Sequence, residues 1–165
     1  MRRVLGIDPG FALVGFGIVE EENGNYKTLD YGVISTPKEE KFANRLNAIY
    51  TGLLSLIDTY KPDCIAIEEL FFFKNQKTVI PVAEARGVIV LAGINRQIDM
   101  YEYTPLQIKQ ALTGNGRAEK KQIQYMVTNI LGLAKIPKPD DAADAIAVAL
   151  THLQTNAFLS DNKLN

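Results

Sequence analysis

The sequence predicts an α/β fold, a mixed five-stranded sheet with helices on both faces. Two observations predict this class. Short apolar runs typical of strands are followed, from residue 42 onward, by longer segments in which apolar residues recur every three or four positions. The turn-forming pair Asn23 and Gly24 joins the second and third apolar runs, which indicates a tight hairpin and an antiparallel start to the sheet.

The strands are predicted from short apolar runs and the residues that end them. The first run ends at Asp8 because Pro9 and Gly10 follow it, and the next two runs flank the Asn-Gly turn. The fourth run begins at Cys64, and the fifth lies beyond the long second helix. The five predicted strands are 4–8, 11–19, 26–34, 64–67 and 100–103.

Helical spacing covers most of the remaining chain. Leu46, Ile49 and Leu53 recur at intervals of three and four in the first helix, which ends before a proline. The second helix contains Pro81, which is tolerated only near its start. The segment Pro137-Lys138-Pro139 separates the last two helices. The five predicted helices are 42–60, 78–97, 105–112, 118–131 and 141–153.

The second predicted helix is apolar on most of its sides. Val82, Val88, Leu91 and Ile94 are spread too widely around it to share one face. A helix of this kind is either buried on two sides or contacts a partner. We expect a homodimer, in which a second copy covers the surplus face.

Length and composition predict one folded domain. The chain has 165 residues, 47% of them hydrophobic and 22% charged, which is typical of globular proteins. A chain of this length buries enough surface to fold without disulfides or a structural metal. We expect one domain over 1–155 and a flexible C-terminal tail over 156–165.

Cysteine usage and hydropathy predict a cytoplasmic protein. Cys64 is the single cysteine, and its apolar neighbours indicate a buried, inert thiol in a reducing compartment. The apolar run after the basic start is broken by Asp8 and Pro9, too soon for a signal peptide. The longest apolar stretch, 88–94, is far shorter than a membrane helix. The net charge of −1 argues against indiscriminate binding to polyanions.

Two candidate carboxylates stand at the ends of predicted strands. Alternation along a strand places Asp8 on the same face as Gly6 and places Glu68 on the same face as Ala66. A small residue therefore precedes each acid on its face. Because an acid at a strand end is more often a solvated turn residue, neither position alone indicates a site.

Two further acids lie on one stripe of the last predicted helix. Asp141, Asp144, Ala145 and Val148 follow the i, i+3, i+4, i+7 pattern, so this stripe should face the sheet. Aspartates in a first turn usually cap the helix or favour its dipole, and Asp140 is a candidate for the cap. Asp144 lies further in, where a buried carboxylate needs a cation or a donor to offset its desolvation.

The four candidate acids, taken together, predict a metal site. Asp8, Glu68, Asp141 and Asp144 supply only oxygen ligands, which favours a hard cation such as Mg²⁺. Two such ions about 4 Å apart can activate an attacking water and stabilise the leaving oxygen of a phosphodiester. Without these acids the chain is mildly basic, which is compatible with a DNA substrate once ions occupy the site.

A basic segment and an aromatic segment are candidates for binding that substrate. The segment 109–121 holds four cations against one acid, and Gly114-Asn115-Gly116 precedes a helix whose N-terminus would attract an anion. The four cations are Lys109, Arg117, Lys120 and Lys121. The run Phe71-Phe72-Phe73 precedes Lys74, and an exposed phenylalanine of this run could stack on an unpaired base. The alternative for the basic segment is an ordinary solvated helix start. The alternative for the phenylalanines is packing under a loop.

These motifs, in their order along the chain, resemble the RuvC-type Holliday-junction resolvases, crossover-junction endodeoxyribonucleases with a ribonuclease H-like fold. The resemblance runs from about residue 4 to 152. Its blocks are Gly6-Ile7-Asp8-Pro9-Gly10 with Gly15-Phe16-Gly17, Ala66-Ile67-Glu68, Phe71 with Lys74-Asn75, Glu84-Ala85-Arg86-Gly87, Lys109-Gln110, Ala118-Glu119-Lys120 and Asp141-Ala142-Ala143-Asp144-Ala145. Phe16 stands where the family often has tyrosine, and Glu69 and Asp140 are extra acids that could assist the metal site.

The resemblance implies a role for each candidate residue. Phe71 would sit at the centre of the junction, and Lys109 and Lys120 would contact phosphates. The catalytic residues, which would also hold two Mg²⁺ ions with Mn²⁺ as a possible substitute, would be Asp8, Glu68, Asp141 and Asp144.

The resemblance also implies an assembly and a reaction. The chain would be a ribonuclease H-like nuclease domain over 1–155 and would act as a homodimer on four-way junction DNA. The dimer would nick two strands of like polarity symmetrically and leave 5′-phosphate and 3′-hydroxyl ends. It would work with the branch-migration motor complex of RuvA and RuvB in recombination and repair.

Two other classes of protein share parts of this pattern. An ATPase or sugar kinase also uses an apolar strand, an Asp and a Gly turn, but it needs a second lobe that 165 residues do not supply. A non-catalytic junction-binding scaffold would not need four acids. A Mg²⁺-dependent, structure-selective DNA endonuclease therefore fits the sequence best.

Overall fold

The computed structural model describes residues 1–70, 76–155 and 162–165. In this part of the chain there are five strands and five α-helices. The strands are β1 (Arg2–Asp8), β2 (Leu13–Glu22), β3 (Asn25–Ser35), β4 (Cys64–Glu68) and β5 (Asp99–Tyr103). The helices are α1 (Phe42–Tyr60), α2 (Gln76–Asn95), α3 (Pro105–Thr113), α4 (Lys120–Ile130) and α5 (Asp140–Gln154).

The strands form one mixed sheet in the order β3-β2-β1-β4-β5. β1, β2 and β3 pair antiparallel through the predicted hairpin, whereas β4 and β5 are parallel to β1. The predicted mixed five-stranded sheet is confirmed. The predicted start of the second strand at residue 11 is wrong, because Phe11 and Ala12 lie in a bend and β2 begins at Leu13.

Helices cover both faces of the sheet, as predicted. The alternation of β1 sends Val4 into a core with α3, α4 and α5, and it sends Leu5 and Ile7 into a second core with α1 and α2. β4 divides in the same way, since Ala66 belongs to the first core and Ile65 to the second. Each core is held by side chains that are almost fully removed from water.

α5 lies directly on the backbone of β1 and β2, and two glycines permit this contact. A Cβ added at Gly6 would lie 2.0 Å from the Ala145 carbonyl oxygen, and one added at Gly15 would lie 2.0 Å from the Asp141 carbonyl oxygen. The N-terminal half of α5 can therefore approach the strand ends only because these positions have no side chain. Gly6 leaves room for the helix itself, not only for the Asp8 carboxylate.

α2 has a buried side and an exposed apolar side. Ala85 and Ile89 are fully buried against the sheet. Ile80, Leu91 and Ile94 are 67%, 52% and 43% exposed, and they lie on the opposite side of the helix. A single copy of the chain therefore covers only one side of α2.

The last four residues contact the edge of the sheet. Lys163 forms an isolated antiparallel bridge with Tyr101, and the Leu164 N–H donates to the Met100 carbonyl at 2.8 Å. The flexibility expected over 156–165 stays a prediction. Every helix in the described ranges is too short or too polar to span a bilayer.

Candidate active site

Asp8 and Glu68 lie next to each other because β1 and β4 are parallel and end at the same edge of the sheet. Ile7 pairs with Ile67, so the residue that follows each of them is also adjacent. Strand alternation turns both carboxylates toward the face covered by α5. This orientation agrees with the sequence prediction, which placed Asp8 and Glu68 on the same faces as Gly6 and Ala66.

Burial and mutual repulsion dominate the electrostatics of these acids. The pKa of Asp8 is raised well above its usual value, first by burial and then by the negative charges of Glu68, Asp144 and Asp141. The pKa of Glu68 is raised to about 7, again first by burial and then by Asp144. The structure therefore brings all four predicted acids close enough to influence one carboxyl group.

Lys120 provides the positive charge nearest to this cluster. Its Nζ lies 2.7 Å from Asp144 Oδ2 and 3.7 Å from Asp140 Oδ2. Burial raises the pKa of Asp144 although the hydrogen bond from Lys120 lowers it. The ammonium group thus offsets part of the repulsion among the acids.

The donor set fits a hard divalent cation, since every candidate ligand is a carboxylate oxygen. As positioned, no three His, Cys, Asp or Glu side chains of residues 1–70, 76–155 and 162–165 form a ready ligand group. One physical reason is that Lys120 already binds Asp144, and repulsion disfavours a closer approach of the remaining acids. Binding of a cation would require Asp144 to exchange this ion pair for the metal.

A cleft of about 200 Å³ opens beside Glu68 and Asp144. Lys109 of α3 and Lys120 of α4 line its basic wall, and apolar side chains such as Ile108 complete it. α3 is fixed by a capping box in which Thr104 Oγ1 accepts from the Gln107 N–H. Lys109 and Lys120 are the two predicted phosphate ligands that the structure brings to the acids.

The other predicted basic residues lie elsewhere. Lys121 lines a separate cleft with Tyr125, and Arg117 is exposed in the loop before α4. The helix predicted to begin near Ala118 begins at Lys120, with Glu119 at its N-cap, and the anion site expected at its start stays a prediction.

Two further predictions have different outcomes. Asp140 is not the cap of α5: Pro139 is the N-cap residue, and the Asp140 carboxylate pairs with Lys138 at 2.7 Å. Asp140 therefore contacts lysines rather than helix amides. Phe71 and Lys74 lie outside the described residues.

Sequence reasoning missed a second cleft that borders the acids. This cleft has a volume of about 480 Å³, and Asp141, Phe11 and Arg45 are among its lining residues. Arg45 is one cation in a helix and Phe11 is one residue of a bend, so no local spacing relates them. Only the packing of α1 on the β1–β2 loop brings them together.

Comparisons with known proteins agree with the sequence motifs. Residues 4–152 match the family model described as crossover junction endodeoxyribonuclease RuvC. Proteins of that name from Caldicellulosiruptor saccharolyticus and Fusobacterium nucleatum are 57% and 54% identical to this chain; the alignments span 94% and 93% of it and 94% and 80% of those proteins. The solved structure of T. thermophilus RuvC in complex with Holliday junction substrate superposes with a TM-score of 0.88 at 35% identity, over 93% of both chains.

Proposed function

The chain belongs to the RuvC family of crossover junction endodeoxyribonucleases, and we propose that it cuts four-way DNA junctions at its cluster of half-buried acids. One observation carries the proposal: the pKa of Asp8 is raised by burial and by three further carboxylates at one edge of the sheet. Such a cluster is unfavourable by itself and becomes favourable when cations occupy it. The catalytic residues of the proposal are Asp8, Glu68, Asp141 and Asp144.

The same acids would hold Mg²⁺, two ions per site, with Mn²⁺ as a possible substitute. Divalent ions at this position would promote attack by water on a phosphodiester and stabilise the departing oxygen. The carboxylates would hold the ions, and their partial burial would limit competition from bulk water. Asp144 would join this set by exchanging its ion pair with Lys120 for the ions.

Lys120 and Lys109 would bind the phosphate groups of the cleaved strand. Both ammonium groups line the cleft beside Glu68 and Asp144, where a phosphodiester must lie to be hydrolysed. If cations neutralised the acids, the charge of Lys120 would become available to the DNA. Arg117, in the loop before α4, and Lys121, in its first turn, are exposed, and both would contact a DNA arm.

A homodimer is proposed from the exposed apolar side of α2. Ile80, Leu91 and Ile94 together form a stripe that a second copy would cover. A two-fold dimer presents two active sites to a junction that also has two-fold symmetry. Two symmetric nicks in strands of like polarity, with 5′-phosphate and 3′-hydroxyl ends, would follow. RuvA and RuvB remain the proposed motor partners.

Phe71 is proposed to sit at the junction centre and Lys74 to bind the nearby backbone. Both follow β4 directly in sequence, and β4 ends at the acids. Replacing Phe71 by Ala should slow the cutting of four-way junctions. Equal rates for Phe71→Ala and the original chain would remove Phe71 from the site.

The proposed function is tested with purified protein and labelled four-way, Y-shaped and linear DNA, each with Mg²⁺ and with EDTA. We expect paired nicks in the four-way junction only when Mg²⁺ is present. Asp8→Asn is the matched variant, and it should bind the junction without cutting it. Cleavage by Asp8→Asn at the original rate would contradict the site, and tight binding of ATP would favour the alternative of a nucleotide-hydrolysing enzyme.

A further inference from the structure

Two clefts border the cluster of acids and share no lining residue: one includes Glu68 of β4, the other Leu13 of β2, and these strands lie on the two sides of β1. The first, described above, contains Glu68, Asp144 and the two lysines. The second lies between the β1–β2 loop and the facing ends of α1 and α2, and it contains Asp141. A DNA strand whose phosphodiester lies at the acids must continue away from them in both directions. The first cleft can hold the strand on one side of the phosphodiester, and the second cleft can hold it on the other side.

Arg45 is held rigidly in the second cleft. Its guanidinium carbon lies 3.8 Å from the centroid of the Phe11 ring, a cation–π distance. Its Nε donates to Thr36 Oγ1 at 3.1 Å, and Thr36 is itself buried. The ring of Phe11 packs in turn against Phe42, with 5.2 Å between centroids. The plane of the guanidinium is thereby fixed before any ligand arrives.

The charge of Arg45 has no counterion in the described structure. Within residues 1–70, 76–155 and 162–165, no carboxylate forms a salt bridge with it, and its two Nη groups make no hydrogen bond. Arg96, in the turn after α2, is different, because its Nε and Nη2 both donate to Asp58. A guanidinium oriented by these contacts, with both Nη groups unpartnered among the described residues, matches the geometry of a phosphate.

The rest of the second cleft suits the backbone of DNA. Leu13, Pro81 and Val82 provide an apolar wall, which can contact a deoxyribose without requiring a particular base. Asp141, one of the four acids of the site, also lines this cleft. The cleft therefore combines one preorganised cation, an apolar wall and direct continuity with the reacting centre.

From this juxtaposition we propose that Arg45 binds a phosphodiester of the cleaved strand on the side of the scissile phosphate opposite to Lys109 and Lys120. Phe11 acts as a positioning residue that holds the guanidinium plane. The inference rests on the proposed nuclease function and adds to it a second contact with the same strand. The two contacts would fix the scissile phosphate over the acids from both sides, which orients it for attack.

The first experiment measures binding of the full chain to a four-way junction in EDTA, so that no cutting occurs. Arg45→Gln removes the charge, and Arg96→Gln is the matched control. We expect Arg45→Gln to bind about tenfold more weakly, and the slope of log affinity against log salt concentration to fall by about one. Arg96→Gln should leave both quantities unchanged. Unchanged affinity and slope in Arg45→Gln would overturn the proposal.

The second experiment identifies the phosphate. Single linkages within about three nucleotides on each side of the cut are replaced by neutral methylphosphonates. The original chain should lose affinity at one linkage where Arg45→Gln loses none, while Lys109→Gln should lose its sensitivity at a linkage on the other side. Equal sensitivity of Arg45→Gln and the original chain at every linkage would also overturn the proposal.

Two controls separate the possible failures. If the original chain does not cut the junction with Mg²⁺, the proposed function fails, whatever Arg45 does. If it cuts but Arg45 shows no linkage-specific effect, only the present inference fails. Should thermal melting show that Arg45→Gln is unfolded, Arg45→Lys replaces it: this variant keeps the charge and must keep the linkage sensitivity with reduced affinity, and a loss of that sensitivity would reject the assignment.

Discussion

The two ends of helix α5 each carry polar side chains that face the sheet, but their surroundings differ. At the N-terminal end, Asp144 joins a group of acids whose nearest positive charge is one lysine. At the C-terminal end, His152 is almost fully buried, with Cys64 Sγ 3.2 Å from its Nε2 and Tyr103 Oη 2.8 Å from its Nδ1. One end contains like charges that repel, and the other contains groups that satisfy one another.

The protonation of His152 follows from its neighbours. Arg2 Nη2 lies 3.4 Å from Nε2, and because a guanidinium only donates, we assign Nε2 as the acceptor and the proton to Nδ1. Burial, followed by the charge of Arg2, lowers the pKa of His152 to about 4. Burial raises the pKa of Cys64 to about 12. His152 and Cys64 are therefore both uncharged at physiological pH.

The difference shows how a buried polar group can be interpreted. The cluster around His152 needs nothing from outside the chain, so it stabilises the fold. The acids at the other end are destabilising until a cation arrives, because the charges of Glu68, Asp144 and Asp141 all raise the pKa of Asp8. Natural proteins retain such unfavourable clusters at functional sites.

The largest expected effect is on the reaction. Asp8→Asn should lower junction cleavage by about a thousandfold or more, since it removes a central ligand of the proposed cations. The same substitution should make the metal-free protein more stable, because it removes one of the repelling charges. Cleavage assays and urea unfolding in EDTA measure the two effects. A loss of both activity and stability would mean that Asp8 has a structural role instead.

Addition of a divalent cation should remove the repulsion among the acids and so the difference between the two ends of α5. At about 100 times the dissociation constant, Mg²⁺ should stabilise the folded chain by about 2.7 kcal/mol if it binds only the folded state. Asp8→Asn should show a smaller gain, and His152→Gln should show the full gain on a less stable protein. Thermal melting across a Mg²⁺ titration measures this. An equal gain in Asp8→Asn would place the cation elsewhere.

The two ends should also give opposite dependences of stability on pH. Glu68 has a folded pKa of about 7 against an ordinary value of 4.5, so the folded state binds more protons between these values and its stability falls as the pH rises. His152 has a folded pKa of about 4 against 6.5, so the unfolded state binds more protons and stability rises with pH. Each contribution is at most about 1.4 kcal/mol per pH unit.

Substitutions at each end should separate these contributions. In EDTA between pH 4.5 and 6.5, Glu68→Gln should leave stability rising more steeply with pH than in the original chain. In His152→Gln, stability should fall more steeply with rising pH than in the original chain. Urea unfolding at several pH values measures the slopes. If neither substitution changed the slope, the shifted pKa values of these groups would be contradicted.

Local rules predicted one part of the site, and packing between distant elements determined the rest. Asp8 could be located because Pro9 ends its strand and because side chains alternate along β1. The ion pair between Lys120 and Asp144 depends on how α4 packs against α5, which no local pattern encodes. The order of the elements could be predicted for the same reason as Asp8, since periodicity and proline positions are local signals.

The pairing of Arg45 with Phe11 shows the same limit. Thr36 links them, because its hydroxyl accepts from Arg45 and its backbone N–H donates to the Ala12 carbonyl at 2.9 Å. These contacts join the bend before β2, the end of β3 and the first turns of α1. A sequence pattern identifies each element but not the contact among them.

The smallest expected effect tests whether the C-terminal cluster is only structural. Cys64→Ser keeps a donor toward His152 Nε2 but replaces a buried sulfur by a more polar oxygen, so unfolding should become easier by about 1 kcal/mol. Cleavage, the response to Mg²⁺ and the sensitivity to thiol reagents under native conditions should all match those of the original chain, since the thiol is buried and its raised pKa keeps it protonated. A change in cleavage rate with unchanged stability would mean that the two ends of α5 are coupled, and the division between a structural end and a reactive end would then be wrong.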